Sequence, residues 1–319
     1  MNSNLRYAIR SLTKLPGFTT VAVITLALGL MTEPLITLTH AAETGGTPPA
    51  AAASPTAAAI GLFQANKFPE AKAALTAIVA AEPKNAEALF YLGWTAFRQN
   101  ENEEAIKLLE QATTLDGTKS RYFQVLGDAY SIAVQRGSFF SKMGWAKKCI
   151  AAYDRGVAID PDNLDVRTAR MGFYWHAPAI AGGGMDKAYA EAEEILRRDP
   201  VRGTQARVDL CLSQKNPAEA FVAVDALLAQ NPGSQPAQYQ LGRLAVLSGQ
   251  QLDRGEAALK GYVEHTPAAG EPPVCAARWR LGMLYELKGD PTAARREYEA
   301  ALVLNPGYPV VQDALKKLK

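Results

Sequence analysis

Small and large apolar residues alternate regularly in the stretch from Leu281 to Pro306. Gly289-Asp290-Pro291 interrupts the stretch, and residues of this kind end one helix and begin another. Gly282 and Ala294 are small enough to let two antiparallel helices approach closely, while larger residues fill the space beside them. The pattern therefore predicts a helical hairpin. It is carried by Leu281, Gly282, Tyr285, Ala294, Tyr298 and Ala301.

The same pattern recurs along most of the chain, most clearly at Leu92-Gly93, Leu126-Gly127 and Leu241-Gly242. Relative to a period of about 34 residues, the third repeat carries roughly ten extra residues and the fourth about five. The fifth repeat, which closes at Pro232, is the least regular, and its first helix is predicted to be short. A final polar helix is predicted in Tyr308–Lys319, since the last repeat otherwise exposes its apolar face.

This pattern resembles the tetratricopeptide repeat (TPR) family from about residue 52 to the end. The resemblance implies an all-α, right-handed α-solenoid of about seven TPR helix-turn-helix repeats with a C-terminal capping helix. It also implies binding of a protein or peptide. The two longer repeats are similar to those of a bacterial TPR group without an assigned activity, through Phe139-Phe140, Lys147-Lys148-Cys149 and residues 177–184.

The extra residues of the third repeat are predicted to lengthen its second helix, with Ser138 as the N-cap. The extra residues of the fourth repeat occupy the equivalent turn, so the two inserts should meet on one edge. Pro178 and Ile180 are expected to cover Phe139 or Phe140 there. The helix prediction follows from apolar spacings of 4-3-4-3-4 at Phe139, Met143, Ala146, Ile150, Tyr153 and Val157.

The N-terminal residues have the features of an export signal. Arg6, Arg10 and Lys14 precede an apolar run, Phe18–Met31, that is shorter than the roughly 20 residues of a membrane-spanning helix. Small residues follow at Thr39-His40-Ala41. Residues 1–41 are predicted to be a signal peptide or membrane anchor, 42–56 a flexible Ala/Pro linker, and 57–319 the TPR solenoid. The protein is then exported, periplasmic or anchored in the inner membrane facing the periplasm.

A second resemblance concerns the first thirty residues. Residues 5–12, 14–19 and 27–30 are similar to the N-terminus of bacterial macrolide-exporter-type ABC permeases. The similarity ends at Thr32-Glu33-Pro34, where such permeases continue their membrane helix. It implies either a borrowed membrane-targeting start or a misplaced start codon, and no transport function.

Charge gives no reason to expect nucleic acid as a partner. The whole chain has a formal net charge of +2, and the first 41 residues, with three basic side chains and Glu33, account for all of it. The remainder is formally neutral, whereas proteins that bind nucleic acid present basic surfaces. Membrane contact is expected only through the N-terminal segment.

Motifs for catalysis, metals and cofactors are not found in the sequence. There is no His-Glu-x-x-His, no Cys-x-x-Cys and no nucleophile elbow. Gly182-Gly183-Gly184 is predicted to be a turn, and Asp160-Pro161-Asp162-Asn163 lacks the Gly and distal Glu of a calcium loop. Cys149, Cys211 and Cys275 are predicted to be small buried hydrophobic residues. The sequence therefore indicates no enzyme, no cofactor and no metal site.

The TPR resemblance implies that first helices line a concave groove where partners bind. The Lys and Asn residues that clamp a terminal carboxylate in chaperone-binding TPRs are missing from the groove positions. Two alternatives stay open: about half of the aromatic residues pack between helices instead, or the chain is a structural or assembly subunit of a cell-envelope complex that makes contact through its inserts. The oligomeric state is open too. The predicted partner-binding residues are Phe90, Trp94, Phe97, Asp128, Trp175, Tyr239, Arg243, Trp279 and Met283, with Phe63, Gln124 and Thr168 also facing inward.

Overall fold

A computed structural model describes residues 54–318, and every regular element in that range is a helix. Fifteen α-helices form seven consecutive pairs followed by a cap, as the sequence predicts for an α-solenoid of TPR repeats. They are α1 Pro55–Gln64, α2 Phe68–Ala81, α3 Ala86–Arg98, α4 Asn102–Leu115, α5 Ser120–Arg136, α6 Phe139–Ile159, α7 Leu164–His176, α8 Met185–Arg198, α9 Pro200–Ser213, α10 Pro217–Gln230, α11 Gln235–Ser248, α12 Leu252–Val263, α13 Val274–Lys288, α14 Pro291–Leu304 and α15 Pro309–Lys317.

The helix ends follow local sequence signals. Gly289 adopts a positive φ of 79° and ends α13, which is a conformation that costs glycine little. The Asp290 side chain then accepts a hydrogen bond from the backbone N–H of Ala293, and Pro291 occupies the first turn of α14. These two signals produce the sharp turn between α13 and α14.

Small residues let the two helices of a repeat pack closely. A Cβ atom added to Gly282 on α13 would overlap the ring of Tyr298 on α14. The same relation holds between Gly127 on α5 and Tyr153 on α6. Both tyrosine rings are buried, so these glycines create the space in which a large side chain of the partner helix lies.

The described residues form two compact units: unit 1 ends at Glu191 and unit 2 begins at Ala192, inside α8. The core of unit 1 is built from α1 to α7, with Leu89, Leu109 and Leu126 among its buried side chains. Unit 2 has its own core around Leu281 and Tyr298.

The insert in the third repeat lengthens its second helix, as predicted. Helix α6 has 21 residues, whereas α4 and α8 have 14 each. Ser138 occupies the N-cap position, although its side chain makes no capping hydrogen bond. A short 3-10 helix, Ala179–Ala181, lies in the fourth-repeat insert and contacts α6, the helix that the third-repeat insert lengthens.

The predicted covering role of Ile180 is wrong. Its side chain is 82% exposed, because the single 3-10 turn directs Ala181 inward and Ile180 outward. Pro178 is partly buried. The side chains of Phe139 and Phe140, which these residues were expected to cover, lie outside the described part of the structure.

The first helix of the fifth repeat also differs from the prediction. Helix α9 is not short but has 14 residues, since Pro200 lies in its first turn and Asp199 caps it. Gly203 then lets α9 approach the backbone of Leu196. Proline and glycine weaken the sequence signal for the interior of a helix. Here Pro200 begins the helix, and Gly203 allows a close contact with the preceding helix.

The predicted targeting segment 1–41 and most of the predicted linker lie outside the described residues, although α1 already begins at Pro55. Within residues 54–318, no helix is both long enough and apolar enough to cross a membrane. Cys149, Cys211 and Cys275 are buried and not in disulfides, which confirms their prediction as small buried residues.

Candidate functional site on the first helices

Trp94 in α3 is the centre of an aromatic cluster in unit 1. Its indole lies 4.6 Å from the ring of Phe63 and 5.4 Å from that of Phe90, measured between centroids. The guanidinium of Arg121, one repeat later, lies 4.4 Å from the centre of the indole. Trp94 remains partly exposed, so the cluster presents an aromatic surface with a positive charge beside it.

Phe90 belongs to the interior of this cluster. Its side chain is 1% exposed and stacks on Tyr122 at a centroid distance of 4.1 Å. Phe97, near the other end of α3, is partly buried against the unit 1 core. Of the three aromatic positions predicted on this helix, Trp94 and Phe97 are reachable from solvent, whereas Phe90 packs between helices.

Asp128 in α5 is partly buried, and one carboxylate oxygen accepts a 2.7 Å hydrogen bond from the hydroxyl of Tyr153. Burial raises the pKa of Asp128 to about 6; the hydrogen bond from Tyr153 opposes this shift, and the charge of Asp165 adds to it. The carboxyl group therefore changes its charge near neutral pH.

Trp175 lies at the end of α7 and stacks on His176 at 4.4 Å between centroids. Both side chains are partly buried, and burial lowers the pKa of His176. Trp175 is thus a second partly exposed tryptophan on a first helix of unit 1.

A buried ion-pair network, which the sequence did not indicate, fixes α7 against α8. Glu191 is 4% exposed and pairs with Arg167 at 2.7 Å and with Arg170 at 2.5 Å. Arg170 also reaches Asp154 of α6 at 3.1 Å. These four side chains come from three helices, so the network orders the helix that carries Trp175.

In unit 2, Tyr239 in α11 is 6% exposed and packs against Tyr262 at 5.1 Å between centroids. Its hydroxyl accepts a 3.1 Å hydrogen bond from Nε of Arg280. Tyr239 is therefore a packing residue whose polar end is used internally.

Arg243 is already engaged within unit 2. Its guanidinium pairs with Asp209 of α9 and donates a 3.4 Å hydrogen bond to Gln240. Trp279 and Met283 in α13 are partly buried, and the indole of Trp279 packs edge-on against Tyr308 at 5.9 Å. Arg280 and Tyr308 were missed by sequence reasoning, because neither occupies a position that the repeat pattern assigns to the groove.

Two profiles described as "Tetratricopeptide repeat" match the sequence. One matches residues 56–119 and 239–309, and the other matches residues 130–163. Together they cover more than half of the chain. The chain belongs to the tetratricopeptide repeat family. This TPR protein accordingly has the fold of a scaffold for protein–protein interaction, a fold that is generally not enzymatic.

Solved structures of TPR proteins are similar to the chain. A TPR protein from Parabacteroides merdae is 16% identical, with 82% of this chain and 96% of that chain covered and a TM-score of 0.56. A thermophilic TPR protein of Thermus thermophilus is 19% identical over 60% of this chain and 96% of its own, with a TM-score of 0.46. At these identities the likeness concerns the fold alone. The comparison with curated proteins gave no match.

Proposed function

We propose that this TPR protein is an exported, non-enzymatic scaffold that binds a protein or peptide segment through aromatic side chains of its first helices. The observation that carries the proposal is the partial exposure of Trp94, Trp175 and Trp279, which all lie on first helices. Each of these indole rings packs against a neighbouring ring on one side and keeps part of its surface exposed to solvent.

Partly exposed aromatic residues on a rigid helix suit recognition of another chain. They provide a large apolar contact area with only two side-chain torsions to immobilise. In the Trp94 cluster, Arg121 supplies a charge that can orient a bound segment, and Asp128, on the same helix as Arg121, supplies the opposite charge when ionised. Aromatic anchors of this kind dominate many interfaces.

The fourth tryptophan provides a matched control. Trp145 lies on a second helix, α6, outside the predicted groove, and packs beside Tyr130 with Lys148 over its ring. Full-length chain should be purified from the exported fraction with its bound proteins, as wild type and as Trp94→Ala, Trp175→Ala, Trp279→Ala and Trp145→Ala. Quantitative mass spectrometry then measures each co-purified protein relative to the bait.

We expect at least one partner to be depleted about tenfold or more by a first-helix substitution and to remain with Trp145→Ala, as an anchor loss of about 2 kcal/mol implies. If Trp145→Ala depletes the same partners equally, the loss reflects general destabilisation. The aromatic-surface proposal is then wrong.

A second function, an assembly subunit that makes contact through its inserts, is favoured by one observation. Ile180 is 82% exposed in the 3-10 helix that contacts α6. Ile180→Asp should then abolish co-purification while the first-helix substitutions leave it intact. The reverse pattern supports the aromatic surface.

A further inference from the structure

Arg280 differs from the other buried charges of the protein. Among the described residues, four charged side chains are buried: Arg167, Glu191, Arg280 and Glu297. Arg167 and Glu191 pair with each other, and Glu297 pairs with Arg278 at 2.9 Å. Arg280 is 8% exposed, yet no carboxylate within residues 54–318 pairs with it. A buried charge without a counter-charge is costly, so its retention calls for a ligand or a structural reason.

The guanidinium of Arg280 is held in place by aromatic groups. Its Nε donates a 3.1 Å hydrogen bond to the hydroxyl of Tyr239. Its Cζ atom lies 5.0 Å from the ring centre of Trp279 and 5.8 Å from the ring centre of Tyr239. These contacts orient the group and leave both Nη nitrogens without an acceptor among the described residues. Neither nitrogen is fully enclosed, so solvent reaches them.

Contacts link three elements of unit 2 at this position. Arg280 and Trp279 belong to α13, and Tyr239 belongs to α11. Tyr308, the residue before α15, has its ring 5.9 Å from that of Trp279. Burial raises the pKa of Tyr308 to about 12, while the charge of Arg280 lowers it. Tyr308 therefore keeps its hydroxyl proton at neutral pH. A phenol and two free N–H edges are donors that suit an anion.

We propose that Arg280, with Tyr239, Trp279 and Tyr308, forms a binding site for a carboxylate of a bound protein segment. A guanidinium presents parallel N–H donors that match the two oxygens of a carboxylate. The single positive charge matches a carboxylate better than a phosphate dianion, because the arginines on neighbouring first-helix positions, Arg243 and Arg278, already have acidic partners.

The inference deepens the proposed scaffold function and rests on it for the identity of the ligand, but the anion site itself can be tested without any partner. The arrangement also differs from the Lys and Asn clamp of chaperone-binding TPRs. Here one arginine, aligned by tyrosine and tryptophan rings, replaces several separate donors.

The first test uses N-acetylglycine as the probe. The full chain is labelled with fluorotryptophan, and the signal of Trp279, assigned with Trp279→Phe, is followed by fluorine NMR during titration. We expect a saturable shift with N-acetylglycine. The responses to N-acetylglycinamide and to sodium chloride should be at least about tenfold weaker, because neither can form two charge-assisted hydrogen bonds with the guanidinium. Equal responses to acid, amide and chloride, or no response, would overturn the proposal.

Variants then assign the effect to the residue. Arg280→Met should abolish the response to N-acetylglycine, and Arg280→Lys should weaken it, because an ammonium lacks the planar fork. Arg296→Met is the matched control: it removes an exposed arginine of α14 in the same unit and should leave the titration unchanged. If Arg280→Met binds like wild type, the site lies elsewhere and the inference fails.

A peptide array separates the two sources of carboxylate. Each peptide is presented with Asp and Glu or with Asn and Gln, and with a free or an amidated C-terminus. Loss of binding on amidation alone assigns a terminal carboxylate, and loss with Asn and Gln alone assigns a side chain. A positive N-acetylglycine titration without depletion of any partner in the tryptophan variants keeps this site and rejects the aromatic scaffold. Depletion of a partner in the tryptophan variants without a response to N-acetylglycine rejects the Arg280 site alone.

Discussion

Phe90 and Trp94 lie one helical turn apart on α3 and have different environments. Phe90 is enclosed and stacked on Tyr122, whereas Trp94 has Phe63 and Arg121 as neighbours and keeps part of its surface free. A small difference in the direction of two side chains on the same helix thus separates a core residue from a candidate contact residue. Position within the repeat alone does not distinguish the two.

Trp94→Ala is expected to weaken partner binding at least about tenfold while the helical content is retained. The indole provides the exposed aromatic area of the cluster, and its removal leaves Phe90 and Tyr122 in their stack. Affinity and thermal stability should be measured on one purified variant by calorimetry and circular dichroism. If stability falls while affinity per folded molecule holds, Trp94 is a packing residue and not an anchor.

Asp128 gives the stability of the protein a specific pH dependence. Because its pKa rises from 3.8 to about 6 on folding, the folded protein binds this proton more tightly than the unfolded chain does. The contribution of Asp128 to stability is therefore fully present below pH 4 and is lost as the pH rises through 6.

Urea unfolding of wild type and Asp128→Asn between pH 3.5 and 7.5 measures this effect. The variant should gain stability relative to wild type as the pH rises through the interval from about 4 to 6, and the difference should be constant above about 7. A difference that is constant over the whole range would show that the carboxyl group titrates with its ordinary pKa.

At the scale of the helices, the ion pairs of Glu191 hold α7 and α8 together. Glu191→Gln removes the charge that Arg167 and Arg170 share in a buried position, and is expected to destabilise the protein by about 3 kcal/mol or more. Glu194→Gln is the control on the same helix, because Glu194 makes ion pairs near the surface with Arg197 and Arg198. It should cost no more than about 1 kcal/mol.

Free energies of unfolding from urea titrations compare the two variants. Equal losses would indicate that the buried network contributes no more than a surface ion pair. A larger loss for Glu191→Gln supports its role in positioning α7, and with it Trp175.

The sequence predicted the elements better than the environments of their side chains. The lengthened α6 followed from apolar spacing, which depends only on neighbours along one helix. The exposure of Ile180 and the burial of Phe90 depend on which neighbouring helix lies opposite, and that information is not local. Pro200 and Gly203 weakened the signal for α9, although both are compatible with its observed start and packing.

At the scale of the whole molecule, the N-terminal residues predict that the repeats lie outside the cytoplasm. Arg6, Arg10 and Lys14 precede an apolar run, and basic residues stay on the cytoplasmic side. A periplasm-active reporter fused after Lys319 should be active, whereas a reporter that works only in the cytoplasm should be silent. Replacing the three basic residues by Glu should reduce export. Activity of the cytoplasmic reporter in the wild-type fusion would contradict the prediction.

The three buried thiols lie in alternate repeats, since Cys149 is in α6, Cys211 in α9 and Cys275 in α13. Burial raises the pKa values of Cys149 and Cys275, so neither reacts readily while its repeat stays closed. The rate at which a small alkylating reagent modifies each thiol thus reports how often that repeat opens.

Repeats near the end of an array have fewer stabilising neighbours, so Cys275 in the last repeat should be alkylated first and Cys149 and Cys211 later. Peptide mass spectrometry after timed pulses of the alkylating reagent gives the three alkylation rates in the wild-type protein. Three equal rates would mean that the repeats open together, as one cooperative structure. Different rates would map a gradient of opening along the chain without any engineered probe.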